Sequence, residues 1–325
     1  MARAERNLSR AHASALDERD HHVLLSLLDH KVLTTDQIRS LLFRSLRRCQ
    51  HRLRELTELE LIGSFTARRG FAEGRPPACW FLTKTGLEVV AVAKGVHASD
   101  LSWIPDEGYR ASRNLAHRLG VNAFFCALAE ASRTLPGHCL HAWRPERWVR
   151  TPSAEVKPDG FGRYLHPGGA CEFYLEYDRG TEAVGALSRK LEGYLRLAAG
   201  WTGKRELTGF PNLLVVVPEV EREQDVSAAY RHAAVSVRVF SSFPLFVTSE
   251  DRLTVRGVLG PVWKHVPTDG ERFSLLDLPA VPLDTYRATR CLGRYFTDDG
   301  PRSRHRISPA SATPRFSARP SRHAP

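Results

Sequence analysis

Between residues 44 and 61 the apolar and basic side chains fall on opposite sides of a helical wheel, which narrows what the chain can build more than any other segment. Leu46, Cys49, Leu53 and Leu56 follow 3-4-3 spacing, so at ~100° per residue they share one apolar face. Arg44, Arg47, Arg48 and His51 then cluster on the opposite face, with Arg54 at its flank. A helix over 45–61 must bury the first face against a small domain and turn the second outward. An outward Arg stripe is what docking into a DNA major groove requires. Guanidinium can clamp guanine O6 and N7 with two bonds, or neutralise a phosphate. The plainer alternative is a solvated basic face whose Glu55 and Glu58 pair with neighbouring Arg side chains.

The flanking segments give that helix a setting. Val23, Leu24, Leu27 and Leu28 recur at helical spacing, and this first helix ends near His30. Thr34 or Thr35 is a good N-cap, and Asp36 suits the positive end of a second, short helix that buries Ile38, Leu41 and Leu42. After Gly63 the pattern becomes two strands, 64–68 and 78–82, around the loop RGFAEGRPP, which carries Arg68, Arg69 and Arg75. Another helix follows, with Thr83 or Thr85 at its cap. Three helices followed by a two-stranded wing is the order of a winged helix-turn-helix, expected here over 18–95 behind a flexible arm at 1–17.

Residues 96–112 are short on regular period and hold Pro105 and Gly108, so they read as a linker. A strong amphipathic helix over 113–135 opens the next unit. Strands near 140–143, 171–178, 213–217, 238–240 and 245–248 then alternate with helices at 185–198 and 226–235, which predicts an α/β domain over 113–299. The last stretch, 300–325, is rich in Pro, Ser and Arg and cannot build a core, so it reads as a disordered basic tail.

Charge follows the same division. The net charge of +11 lies at the two ends: residues 1–95 carry an excess of +5, residues 96–299 balance to zero, and 300–325 hold six Arg and no acid. That distribution suits a polyanion such as double-stranded DNA, although high charge also aids solubility. Arg abundance alone proves little, because a GC-rich coding sequence would give the same bias. No apolar run approaches the ~20 residues needed to cross a bilayer, and the N-terminus lacks the apolar segment of a secretory signal. The expected location is the cytoplasm, with no membrane partner. Six cysteines without a CxxC pair read as reduced thiols rather than a disulfide framework or zinc site. No phosphate loop, nucleophile elbow or HExxH motif is present. His117, His141 and His166 lack a partner at ligand spacing and read as structural.

A second constellation lies between residues 155 and 196. Pro158-Asp159 precedes a strand in which period-2 alternation puts Glu172, Tyr174, Glu176 and Asp178 on one face. With Asp159 at the start of a neighbouring strand, Asp159, Glu176 and Asp178 would converge at one sheet edge. Such a group can hold Mg²⁺, which keeps waters in its remaining positions and activates one of them against a scissile phosphate. Three convergent carboxylates would also repel one another, a strain that a metal or a lysine relieves. Lys190, on the following helix beside Leu187, Leu191 and Tyr194, is the candidate lysine. Glu146 is a candidate outer ligand. Each residue has a plainer role: Pro-Asp-Gly is a common turn, Glu176 and Asp178 can pair with Arg179, Arg189 or Lys190, and Lys190 can snorkel past an apolar edge.

Pro158-Asp159 followed by a strand Glu resembles the PD-(D/E)xK nuclease fold. Here the strand reads Glu176-Tyr177-Asp178, so the lysine is absent from its usual place, and Lys190 resembles the migrated lysines of that superfamily. The set of winged helix, PDG, LExDxGTE and KLxxY is similar to the replication-relaxation family over about residues 18–250. That resemblance implies a winged helix-turn-helix followed by a restriction-endonuclease-like α/β domain. It implies a DNA-binding role in plasmid or mobile-element replication or transfer, with plasmid replication or transfer proteins as partners. Catalysis would be Mg²⁺-dependent nicking or cleavage at Asp159, Glu176, Asp178 and Lys190, with Asp159 and Glu176 on the metal. Two alternatives stand beside it: a non-catalytic regulator or replication accessory with a degenerate nuclease fold, and a protein-interaction adaptor.

Overall fold

The computed structural model describes residues 16–67, 76–103, 114–149, 151, 153, 156–201, 209–238 and 243–281. The arm, Arg68, Arg69 and Arg75 of the hairpin tip, most of the expected linker and the basic tail lie outside the described residues. Among the described residues no helix is long and apolar enough to cross a membrane.

The N-terminal part runs α1 (Glu18–His30), β1 (Val32–Thr34), α2 (Thr35–Leu42), α3 (Leu46–Glu58), β2 (Ile62–Thr66), β3 (Ala78–Leu82) and α4 (Lys84–Lys94). Caps set the helix starts. Asp17 and Asp20 form a reciprocal capping box on α1, and Thr34 and Gln37 form one on α2. Thr83 caps α4, which ends at Gly95 in the left-handed conformation. The three strands make an antiparallel sheet in the order β1-β3-β2. Strand β1 escapes sequence reading because its three residues are all buried, which leaves no alternation.

Helix α5 (Leu115–Thr134) leads into a seven-stranded sheet. Its strands are β4 (Cys139–Pro145), β5 (Gly160–His166), β6 (Gly169–Tyr177), β7 (Asn212–Val217), β8 (Leu245–Ser249), β9 (Trp263–His265) and β10 (Arg272–Phe273), in the spatial order β10-β9-β8-β7-β6-β5-β4. The centre, β6-β7-β8, is parallel, and the remaining pairings are antiparallel. The crossovers carry α6 (Val184–Ala199) and α7 (Arg222–Val237), and α8 (Glu250–Arg256) follows β8. Central parallel strands are buried on both faces, so β7 reads as one continuous apolar run. The strand expected at 238–240 is a correction: Arg238 closes α7 with φ 56°, and residues 239–242 lie outside the described set.

Each face of the large sheet has its own core. Tyr174, Leu213 and Val215 pack with Leu191 and Tyr194 of α6 and Val226 and Tyr230 of α7. Phe173, Leu175 and Leu214 pack with Phe124, Phe125 and Leu128 of α5, and that cluster runs on into Val23, Leu53 and Leu82 of the N-terminal part. Helix α5 thus packs on one face of the large sheet and also against the N-terminal part. Gln37 Nε2 donates to the Leu119 carbonyl (2.8 Å), and Asn122 Nδ2 donates to the Val32 carbonyl (2.8 Å). Cys49, Cys79, Cys126 and Cys171 are free and buried. Cys139 is disulfide-bonded, contrary to the expectation of reduced thiols throughout.

Candidate functional site

The outward basic face forms as its spacing dictates. Cys49, Leu53 and Leu56 of α3 are fully buried, while Arg44, Arg47, Arg48, His51 and Arg54 are exposed. Leu46 is a correction: expected inward, it is 42% exposed, because it is the first residue of α3, a turn short of the first buried side chain. Glu55 pairs with Arg52 (2.7 Å) and lies 3.4 Å from His51. Arg52 belongs to the packing rather than to the outward row. Its Nε donates to Asp20 Oδ1 (2.6 Å), and Asp20 is completely buried. Burial pushes the Asp20 carboxyl up, and the Arg52 hydrogen bond pulls against it.

The carboxylate site is set by strand register. Strands β5 and β6 pair Gly160 with Leu175 and Phe161 with Tyr174. One further step puts Asp159 opposite Glu176, and directly opposed side chains of an antiparallel pair share a face. The same face carries a buried Arg163–Glu172 pair (2.7 Å) deeper in the sheet. The Glu146 amide donates to the Asp159 carbonyl (3.1 Å), so Glu146 is next in that row, with its side chain exposed.

Each carboxylate oxygen at this row has a partner. The Tyr177 amide donates to Asp159 Oδ2 (2.8 Å), and His117 Nε2 lies 3.0 Å from Asp159 Oδ1. The Tyr194 hydroxyl donates to Glu176 Oε1 (2.5 Å), and the Lys190 ammonium is paired with Glu176 Oε2. Lys190 therefore points back to the strand, as its helix phase requires. Asp178 does not join them. The β6 ladder ends at Tyr177, and the Asp178 carboxylate turns to Arg222 Nε at the start of α7 (2.7 Å) and to the Gly180 amide (2.8 Å).

His117 is the residue that sequence reading misses, since with no partner at ligand spacing it reads as structural. It sits in the first turns of α5, far from Asp159 in the chain, and no local spacing signals the contact. Its approach depends on Gly120: a Cβ there would stand 2.3 Å from the Tyr177 ring. The His117 ring meets the same Tyr177 edge-on, at 6.1 Å and 83°.

Electrostatics follow from these contacts. The hydrogen bond to Asp159 raises the His117 pKa above its usual 6.5, against burial and the Lys190 charge. Burial pushes Asp159 up, but His117, Lys190 and the Tyr177 amide together outweigh it and hold the carboxyl low. Glu176 goes up, with burial the largest cause and Lys190 opposing. The Lys190 ammonium is disfavoured by burial, yet Glu176 and Asp159 win and raise its pKa.

The cluster thus joins Asp159 to His117 and Glu176 to Lys190, rather than gathering three repelling acids. Mg²⁺ requires open carboxylate oxygens in a near-octahedral arrangement. As they stand the residues do not fit it: three of the four oxygens of Asp159 and Glu176 are engaged by His117, the Tyr177 amide and the Tyr194 hydroxyl, and the fourth, Glu176 Oε2, makes no hydrogen bond but is held in an ion pair by Lys190. Among the described residues no group of three or more His, Cys, Asp or Glu side chains is arranged to hold a metal ion.

A family model described as Replication-relaxation matches residues 24–213, more than half of the chain. Neither a curated protein nor a solved structure matches it.

Proposed function

The chain belongs to the replication-relaxation family, and from that premise we propose that it is a duplex-DNA-binding accessory of plasmid or mobile-element replication. The observation that carries the reading is α3: Cys49, Leu53 and Leu56 are fully buried, and Arg47, Arg48, His51 and Arg54 stand along the exposed side, with Arg44 just before the helix. The order helix, strand, helix, helix, hairpin, with a β1-β3-β2 sheet, supports a winged helix with α3 as the reading helix. Base edges would be read by Arg47 and Arg48, and phosphates neutralised by Arg44 and Arg54. An adaptor that docks protein has no use for an Arg row of this density.

Fluorescence anisotropy with a labelled duplex across a salt series tests this. Arg47→Ala with Arg48→Ala should weaken binding, and the slope of log K against log salt should flatten by about 0.9 for every phosphate no longer neutralised. Unchanged affinity and slope would remove α3 from the interface.

For the seven-stranded part we favour a non-catalytic role. The placement of Asp159 opposite Glu176, with Lys190 reaching in, supports descent from a PD-(D/E)xK-like nuclease fold. The pairing of every carboxylate oxygen with a protein group supports loss of its metal chemistry. Supercoiled plasmid incubated with Mg²⁺ and protein should stay supercoiled. Nicking that Asp159→Ala abolishes would restore the nuclease reading.

A further inference from the structure

The exposed side of α3 is not uniformly basic. Arg47, Gln50, His51 and Arg54 are all exposed, and at i, i+3, i+4 and i+7 they share one stripe away from Cys49, Leu53 and Leu56. His51 leans toward Glu55, at 3.4 Å. Among the described residues, nothing hydrogen-bonds to or pairs with the side chains of Arg47, Gln50 or Arg54. Gln50 thus sets a neutral, uncommitted amide into a cationic row. Leu46 stands one turn before it and is 42% exposed, although the inward face of α3 begins at Cys49. Burial in the fold does not account for a leucine there.

We propose that Leu46 and Gln50 together read one A·T base pair in the major groove, beside a G·C pair read by Arg47. The inference rests on the reading of the chain as a duplex-DNA binder and names what that surface recognises. Adenine presents the N7 acceptor and the N6 donor side by side, and a carboxamide carries the matching donor and acceptor. Guanine presents two acceptors, which suit the guanidinium of Arg47 and leave the Gln50 carbonyl without a donor. The thymine of the same A·T pair holds its C5 methyl in the groove, an apolar knob for Leu46 to cover. Residues four apart on a helix stand about 5–6 Å apart at Cβ, so Leu46 and Gln50 can meet one base pair. Residues near the start of a reading helix are the ones that reach base edges, and Leu46, Arg47 and Gln50 all lie in the first turns of α3.

The test uses the full chain, selection of duplexes from a randomised library, and anisotropy titrations on the selected site. The wild-type chain should enrich a site with a G·C pair beside an A·T pair. Gln50→Ala should lose the preference at the A·T position, by about 5–100-fold, and keep it at the G·C position. Arg47→Ala should do the reverse. Replacing the thymine there by deoxyuridine deletes only the C5 methyl, so it should weaken wild-type binding several-fold and leave Leu46→Ala binding unchanged. The same selected site in Gln50→Ala overturns the inference, as does an equal loss on deoxyuridine in wild type and Leu46→Ala. If either variant melts early, 7-deazaadenine in the site decides with the wild-type chain alone: it lacks the N7 acceptor, and unchanged binding overturns the Gln50 contact. Salt-dependent binding with no enriched sequence overturns the inference and leaves the DNA-binding reading standing, whereas no salt-dependent duplex binding at all removes both.

Discussion

Replacing Lys190 by Met is the sharpest perturbation of the carboxylate site, since Met keeps most of the Lys stem and deletes the ammonium. The partner it abandons, Glu176, has a side chain only 6% exposed, while the Lys190 side chain is 35% exposed. Breaking a buried ion pair by removing one partner costs about 3–5 kcal/mol. The low end, about 3 kcal/mol, applies here, because Lys190 is partly hydrated already and Glu176 keeps the Tyr194 hydroxyl. At roughly 2–4 °C per kcal/mol for a domain of this size, melting should fall by about 6–12 °C once the pH is above the folded Glu176 value of about 8 and the carboxylate is charged. The penalty should shrink in acid. The folded-state pKa of Glu176 lies above its ordinary 4.5, so the native state binds more protons than the unfolded chain, and stability drops as pH rises from 4.5 through the folded value. Loss of Lys190 removes a charge that holds that folded value down, so the deficit opens as pH rises past it and closes in acid. Millimolar Mg²⁺ should leave wild-type melting unchanged, as every oxygen it would need is engaged. A wild-type melting temperature that rises with Mg²⁺, with the rise lost in Asp159→Asn, would refute this account of the site.

Arg52→Met strands the buried Asp20 and should cost about 3–5 kcal/mol in chemical denaturation, whereas Arg47→Ala with Arg48→Ala should stay within ~0.5 kcal/mol of wild type; equal effects would show that the helix faces are misassigned. His117→Asn should destabilise most between about pH 4 and 6.5, by on the order of 1–2 kcal/mol. The raised His117 pKa contributes stability that is full below 6.5 and lost as pH climbs through the folded value, and the lowered Asp159 pKa contributes above 3.8. A flat difference between the two melting-temperature profiles from about pH 4 to 9 would argue against a charged pair. Gly120→Ala sets two effects against each other: helix propensity gains about 1 kcal/mol, but a Cβ 2.3 Å from a ring overpacks, at about 1–3 kcal/mol or more. The ring cannot swing aside cheaply, so a net loss of stability is expected, and a gain in melting temperature would mean that α5 is free to slide.

What could be read from the residues depended on whether the signal was periodic. The α3 faces were legible because helical phase alone separates Cys49, Leu53 and Leu56 from the Arg row. The same phase puts Arg52 beside the apolar face, yet its partner Asp20 lies on another helix and leaves no trace in the spacing. Strand alternation placed Glu176, and helix phase aimed Lys190 at it. Alternation failed at Asp178 because Tyr177 is the last paired residue of β6: beyond it the carboxylate accepts from the Gly180 amide and from Arg222. Nothing in the local sequence tells a strand where its ladder stops. His117 lay beyond reach for a related reason, since its contact with Asp159 is a product of how α5 packs and of the space that Gly120 leaves.

Helix α5 also bears on how the two sheets work together. Domains joined by a linker move relative to one another unless their interface is large and apolar. Here one helix donates its Leu115 and Leu119 to the three-stranded sheet and its Phe124 and Phe125 to the seven-stranded one. Buried amide bonds to Leu119 and from Asn122 fix its axial position, and unpaired amides would cost too much for it to slip. A second tie lies at the far end of α1, where the His30 ring stacks on Trp143 at 3.4 Å and Arg147 reaches Asp29 at 2.9 Å. Burial, and then the Arg147 charge, push the His30 pKa down to about 3, so the stack stays neutral across the working range of pH. The part that carries α3 is therefore tied to the seven-stranded sheet at two places, through α5 and through the end of α1. On the proposed reading, such a frame would hold the basic face of α3 in one fixed orientation relative to the seven-stranded sheet.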